Sequence, residues 1–244
     1  MSLRVRILQI DVPAAQLDEA TAFWAGALGA RPVRPPGRFV HLHDAASVVE
    51  VHLQPLDDGG PRYHLDLEVP GAGGRDVEVA RLAGLGATVG AHSPDGYTVL
   101  HDPAGLALCV IEPGAASRNP LTHPRDDQGH LGAIVLDVPE HDRQREVAFW
   151  AKALGAEVGD PADGYVPLDG VVGPGGPIAL GIQGGEGAGR MHVALSARDS
   201  PTEVARLEAL GATRVAALGT STFTLADPVG NLLGVVPTRD GDET

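Results

Sequence analysis

The chain has 244 residues, of which 33 are glycine and 20 proline, with 43% hydrophobic residues and a formal net charge of −14. That length suits one large domain or two of ordinary size, and so much Gly and Pro implies many turns and short elements. The acidic balance, with no basic stripe to offset it, excludes nucleic acid and anionic membrane surfaces as partners, and the lone Cys109 excludes an internal disulfide.

The opening "RVRILQIDVP" reads as a first strand, its apolar run being too short for a secretory signal. No run reaches the ~18–20 apolar residues of a membrane-spanning helix, so the protein is expected to be cytoplasmic. A helix follows, "LDEATAFWAGALGA", with Trp24 and Leu28 on one face and Gly29 suited to ending it. Next comes the strand "SVVEVHLQPL", which places Glu50, His52 and Gln54 on one side by alternation. His41 and His43 in "RFVHLHDA" also share a face, which lies either at a rim or in solvent.

A second unit begins at "RYHLDLEVP", whose polar set is His64, Asp66 and Glu68, and continues through the helix "VEVARLAGLGA" with its stripe of Val79, Leu82 and Leu85. It ends on the turn "DPAG" and the strand "LALCVIEP". After a polar stretch the whole pattern returns. "LGAIVLDVP", "REVAFWAKALGA", "PIALGIQ", "RMHVALSAR", "TEVARLEALGA" (stripe Val204, Leu207, Leu210) and "DPVG" follow in the same order. Leu-Gly-Ala closes all four helices, and Trp150 repeats Trp24 as Asp227 repeats Asp102.

The chain is therefore read as α+β: four βαβββ modules forming two curved mixed sheets with helices outside. Residues 1–115 form a first domain, 116–128 a linker and 129–240 a second domain. Each pair of modules leaves a concave sheet face, and function is sought there.

The combination of "FWAGALGA", "HLDLEV" and "DPAGLALCVIEP", in this order and in two copies, resembles the vicinal oxygen chelate superfamily and its glyoxalase-like branch. That group includes glyoxalase I, bleomycin-resistance proteins and extradiol dioxygenases. In metal-using members the resemblance implies a divalent ion in the cup. Its ligands come from the first strand, an acid on the fourth, a His on the fifth and a Glu on the eighth. Here those positions carry Ile7, Glu50, His64 and Cys109 in the first half, and Ala133, Ala179, His192 and Gly234 in the second.

Two implied ligands survive in the first half and one in the second. No metal or other cofactor is expected on this reading, while a divalent metal, if held, would use Glu50 and His64. The expected catalytic pair is Glu50 and His64, with Gln9, Asp11, His52, Asp66, Cys109 and His192 as ligand-binding residues. Asp11 and its counterpart Asp137 read equally as local backbone caps. Cys109 reads as an inert buried thiol, the alternative being that it or His52 completes an irregular metal site in which thiolate with imidazole would favour zinc, and Trp24 and Trp150 read as core. The second cup, with small Ala133, Ala179, Gly181, Ala194 and Gly234, is expected to leave volume for a bulky ligand.

The expected function is a bleomycin-resistance-like protein binding a small organic molecule without a conventional metal site, as a monomer or homodimer. The alternative is an enzyme of lyase, isomerase or dioxygenase type using Glu50 and His64, with or without a divalent metal.

Overall fold

The computed structural model describes residues 3–43, 49–94, 96–114, 129–162, 164–173, 176–177, 179–187 and 189–238. All four expected modules are present. The first contains β1 (Arg4–Pro13), a 3-10 turn (Ala14–Gln16), α1 (Leu17–Leu28), β2 (Arg31–Val33), β3 (Val40–His43) and β4 (Glu50–Leu56). The second contains β5 (Arg62–Glu68), α2 (Arg75–Gly84), β6 (Thr88–His92), β7 (Tyr97–His101) and β8 (Ala107–Ile111).

The third runs through β9 (His130–Pro139), α3 (Arg143–Leu154), β10 (Glu157–Val158), β11 (Tyr165–Asp169), a small hairpin of β12 (Val172–Gly173) and β13 (Gly176–Pro177), and β14 (Ala179–Gly185). The fourth has β15 (Arg190–Ala197), α4 (Ser200–Ala209), β16 (Thr213–Leu218), β17 (Thr222–Ala226) and β18 (Leu232–Pro237). The expected linker, 116–128, lies outside the described residues.

The strands make two eight-stranded mixed sheets, ordered β2-β3-β4-β1-β5-β8-β7-β6 and β10-β11-β14-β9-β15-β18-β17-β16. The two halves of the sequence thus repeat one topology. In both, the module that begins with β5 or β15 returns its last strand parallel to its first: β5 with β8 and β15 with β18. A helical crossover makes that parallel pairing possible.

The helices follow their apolar stripes. α1 buries Ala20, Phe23, Trp24, Ala27 and Leu28, and α3 buries Phe149, Trp150, Ala153 and Leu154. In each, Phe meets Trp edge to face, with ring centroids 5.3 Å apart in α1 and 5.5 Å in α3. Both helices end on a left-handed glycine, Gly29 at φ 62° and Gly155 at φ 68°, a conformation that a Cβ would oppose.

The other two helices stop before the Leu-Gly-Ala tripeptide, so Leu85 and Leu210 fall just beyond the helical stripes they were expected to complete. Leu210 instead lies against Gly26 of α1, where an added Cβ would come within 3.0 Å of its side chain.

Compactness divides the chain differently from the repeat. One unit comprises Met1–Gln9, Tyr63–Arg118 and Ile134–Met191, the other Ile10–Arg62, Asn119–Ala133 and His192–Thr244. Each unit takes one helix from each half, joined by matching polar contacts. In the first, Arg81 of α2 donates to the carbonyls of Lys152 (3.1 Å) and Ala153 (2.8 Å) at the end of α3. In the second, Arg206 of α4 donates to Gly26 (2.9 Å) and Ala27 (2.8 Å) of α1. These are carbonyls that a helix end leaves without internal partners.

Trp24 and Trp150 are core residues as expected, and their indole N–H groups also close a polar corner. Trp150 Nε1 donates to Asp102 Oδ2 at 3.1 Å in the first unit, and Trp24 Nε1 to Asp227 Oδ2 at 2.8 Å in the second. Each Asp also accepts two backbone N–H groups through its Oδ1, from Ala104 and Leu106 or from Val229 and Asn231. The "DP-x-G" turn is therefore anchored from the opposite half of the sequence. Among the described residues no helix is long and apolar enough to cross a membrane.

Candidate functional site

The first unit brings together the polar residues of β5, β8 and the start of β1. Alternation along β5 puts Tyr63, Leu65 and Leu67 on one side and His64, Asp66 and Glu68 on the other. The parallel register then sets Cys109 of β8 directly opposite Asp66. His64, Asp66 and Cys109 are each only 6% exposed. One donor atom from each lies within 4.8 Å of the others.

His64 Nε2 stands 3.5 Å from Asp66 Oδ1. On the far side of the same carboxylate, Gln9 Nε2 donates to Asp66 Oδ2 at 2.9 Å. Gln9 is itself 4% exposed, and its Oε1 is a buried acceptor with no hydrogen-bond partner among the described residues. Burial pushes the Cys109 thiol above its usual range, opposed by its contact with His64 and reinforced by the Asp66 charge. The protein alone therefore keeps this sulfur protonated, in line with the inert thiol expected. Further along β5, Glu68 is neutralised by Arg4 at 2.9 Å and Arg6 at 3.5 Å.

Glu50, His52 and Asp11 belong to the second unit. Glu50 Oε2 lies 3.4 Å from His52 Nε2 on β4, and both residues are buried. His41 of β3 pairs across the strands with His52, and their rings stack 3.8 Å apart at 3°. This stack gives the orientation that the sequence left open for His41. Burial first, then the neighbouring His52, lowers the His41 pKa to about 4, so His41 is neutral near pH 7. The Asp11 side chain, 0% exposed, accepts from Arg62 Nε at 2.9 Å. Asp137 repeats this contact with Arg190 at 2.9 Å. The two Asp–Arg pairs lie 51 and 53 residues apart in sequence, and they were not anticipated.

The corresponding ladder in the second half has a different content. The parallel register there sets Ala194 opposite Gly234, the places of Asp66 and Cys109. His192 alone keeps a titratable side chain, and it is half-buried. Where Arg6 faces Glu68 in the first half, Gly132 meets Ser196, whose Oγ would be 2.1 Å from an added Cβ. The room expected beside Gly181 is also taken. The Tyr165 ring lies there, its Cε2 and Cζ each 2.0 Å from where a Gly181 Cβ would be. Gly181 thus makes way for a residue of the protein's own β11.

A divalent ion is what the resemblance implies, and the donors can be tested against it directly. Imidazole nitrogen, carboxylate oxygen and sulfur within 4.8 Å of one another fit a four-coordinate ion of borderline softness. They do not fit an ion that demands six oxygen ligands. The expectation that no cofactor binds therefore has a concrete rival at His64, Asp66 and Cys109, a set in which Asp66 had been read only as a ligand-binding residue.

The glyoxalase-like domain family matches residues 8–111 and again 133–236. A comparison with curated protein sequences returned no match. Among solved structures, the chain resembles 2,2',3-trihydroxybiphenyl 1,2-dioxygenase from Sphingomonas wittichii, with a TM-score of 0.66, 16% identity, and coverage of 98% of this chain and 91% of that one. It also resembles the Mn(II)-bound glyoxalase from Novosphingobium aromaticivorans, with a TM-score of 0.64, 19% identity and coverage of 96% and 83%. Homoprotocatechuate 2,3-dioxygenase from Arthrobacter globiformis gives a TM-score of 0.66 at 15% identity, covering 100% of this chain and 83% of that one. At these identities the likeness is one of fold.

Proposed function

The chain belongs to the glyoxalase-like domain family of the vicinal oxygen chelate superfamily, and from that premise we propose that it binds a small organic molecule at the polar face of β5 and β8. One observation carries the reading. Among the described residues, Gln9 Oε1 is a buried acceptor without a partner, on a side chain already bonded to Asp66 beside His64 and Cys109. Leaving such a group unsatisfied costs roughly 1–3 kcal/mol, which a ligand carrying a hydroxyl or N–H group recovers on binding. Small aromatic alcohols and dicarbonyl hydrates have that chemistry.

The experiment is a thermal-shift screen of the untagged protein, stripped of metal by a chelator, against small aromatic and dicarbonyl compounds. A compound that binds only the native state raises Tm with its concentration. The reading requires at least one such compound whose effect disappears in His64→Ala and persists in His192→Ala. If the shift follows His192 instead, the site has been assigned to the wrong half.

A second reading, turnover of the bound molecule, draws on the His64–Asp66 pair. A carboxylate 3.5 Å from an imidazole acts on it through its charge, which suits general base work. Conversion of a bound compound, lost in Asp66→Asn while binding remains, separates an enzyme from a binder.

A further inference from the structure

We propose that His64, Asp66 and Cys109 hold one zinc-class divalent ion per chain, with Gln9 fixing the carboxylate that serves it. The inference rests on the reading that the polar face of β5 and β8 is the working site. It keeps two of the positions the resemblance implies, His64 and Cys109, and departs from the resemblance in drawing on Asp66, in having sulfur where a Glu is implied, and in making no use of Glu50.

The His64–Asp66 spacing matches that of two ligands in a coordination shell, and Cys109 closes the set by hydrogen-bonding to both. At 3.5 Å, His64 Nε2 and Asp66 Oδ1 are too far apart for a good hydrogen bond, which runs at about 2.7–3.2 Å. Two ligands of a tetrahedral ion with bonds of about 2.0–2.1 Å stand about 3.4 Å apart. Cys109 enters from the neighbouring strand at the rung of Asp66, so the three donors come from two strands on one face of the sheet. Three protein ligands leave one position of a four-coordinate ion for water or an exogenous group.

Gln9 then has a defined part. Its Nε2 holds Asp66 Oδ2, which turns the other oxygen, Oδ1, toward His64. Metal-binding carboxylates are commonly held in this way by a hydrogen bond from outside the ligand shell. Its Oε1, without a partner among the described residues, is a ready acceptor for a water on the ion's open position.

Charge and softness choose the class of ion. When Cys109 coordinates, the metal–sulfur bond replaces S–H and the proton leaves to solvent. The thiolate and the Asp66 carboxylate together carry two negative charges, which one dication cancels within a buried face. Sulfur with imidazole favours zinc or cobalt over manganese or magnesium. In the second half only His192 survives of the equivalent set, because Ala194 and Gly234 supply no donor, which limits the chain to one such ion.

The test uses the full chain, untagged and freed of metal, titrated with Co(II), Zn(II) and Mn(II). Co(II) should give a sulfur-to-cobalt charge-transfer band in the near ultraviolet, saturating at one ion per chain and erased by Zn(II). Cys109→Ser should lose the band while its far-ultraviolet circular dichroism stays that of the parent. Asp66→Asn, which keeps the side-chain shape, should weaken Zn(II) binding at least about 10-fold, and Gln9→Ala about 10-fold.

The proposal is overturned if Co(II) gives no charge-transfer band, if the band survives Cys109→Ser, or if Mn(II) displaces Zn(II) at comparable concentration. Should the serine variant fail to fold, the Co(II) band of the parent and the Asp66→Asn affinity decide alone. An organic ligand that still raises Tm of the metal-free chain while cobalt gives no band would remove the ion and leave the binding reading standing. Ion binding with no organic ligand in either form would do the opposite.

Discussion

The two parallel ladders, β5 with β8 and β15 with β18, share a register and a topology and differ in what they carry. On the first, Asp66 faces Cys109 beside His64, and Arg6 faces Glu68. On the second, Ala194 faces Gly234 beside His192, and Ser196 occupies the space over Gly132. The frame needs the apolar face: Leu65, Leu67 and Leu108 in one half, and Val193, Leu195 and Val235 in the other, are all 0% exposed. The opposite face has been free to diverge, because a buried polar group persists only where partners or a ligand satisfy it. One half has kept a set of partners that still leaves an acceptor open, and the other has been filled with small side chains and the Tyr165 ring.

The strongest way to break this comparison is to make the first ladder resemble the second. Asp66→Ala with Cys109→Gly installs the second-half residues and should abolish binding of both a Tm-raising ligand and Zn(II), by at least about 100-fold, or about 2.7 kcal/mol. His192→Ala should leave both within about twofold. Calorimetric titration of the three proteins decides it, and a large loss on His192→Ala would show that the second ladder is not idle.

The next effect is at the Trp–Asp corners, where the halves also differ. Asp102 and Trp150 share their corner with Glu146, which is 0% exposed, whereas Ala20 takes the equivalent place beside Trp24 and Asp227. Burial first, then the Asp102 charge, pushes the Glu146 pKa from 4.5 up to about 8. Burial raises Asp102 too. An acid raised in the folded state gives up stability as pH climbs. The unfolded chain ionises near 4.5 while the native chain stays protonated to about 8, so stability falls across that window and levels off above it. Glu146→Gln should therefore be more stable than the parent at pH 9 by a few kcal/mol, and no more stable at pH 4. Denaturant melts at both pH values check the sign.

Much of this was legible in the sequence. Four copies of Leu-Gly-Ala, two of Phe-Trp and two of "DP-x-G" fixed the module order, because each marks a helix end, a packed helix face or a turn with one physical requirement. His64 and Cys109 were also placed on the right strands. What the sequence did not disclose depended on partners far along the chain. Gln9 on Asp66, Trp24 on Asp227 and Trp150 on Asp102 bring together residues whose separation carries no periodic signal. Asp66 was read as lining because alternation gives a face and not a neighbour. Gly181 was read as room because a missing side chain in one strand says nothing of the Tyr165 that uses the space.

A smaller difference separates the two tryptophans. Trp150→Phe removes the N–H that serves Asp102 Oδ2, and Leu106 at the end of that turn has no side-chain donor to replace it. With a hydrogen bond to a charged group gone, the cost should be about 2–3 kcal/mol. Trp24→Phe makes the same change at Asp227. There Asn231 stands where Leu106 does, and its Nδ2 already reaches Asp227 Oδ2 at 3.3 Å. That cost should be smaller by about 1 kcal/mol, read from urea midpoints at constant m.

The smallest test asks whether the two compact units are held in the same way. Arg81 and Arg206 each give two N–H groups to the last carbonyls of a helix from the other half of the sequence, and each is steadied by a Glu three residues earlier, Glu78 at 2.7 Å and Glu203 at 2.6 Å. A cation at a helix C-terminus adds the favourable pole of the helix dipole to those bonds. Arg81→Ala and Arg206→Ala should each cost about 1 kcal/mol, and Arg→Lys less than that, since lysine keeps the charge and loses the two-pronged geometry. Glu203 is more deeply buried than Glu78, its side chain 3% exposed against 14%. Removing its arginine strands a charge with less access to water, so Arg206→Ala should be the costlier of the two. Equal losses would mean that the Glu–Arg pairs contribute nothing and that the helix carbonyls alone account for the arginines.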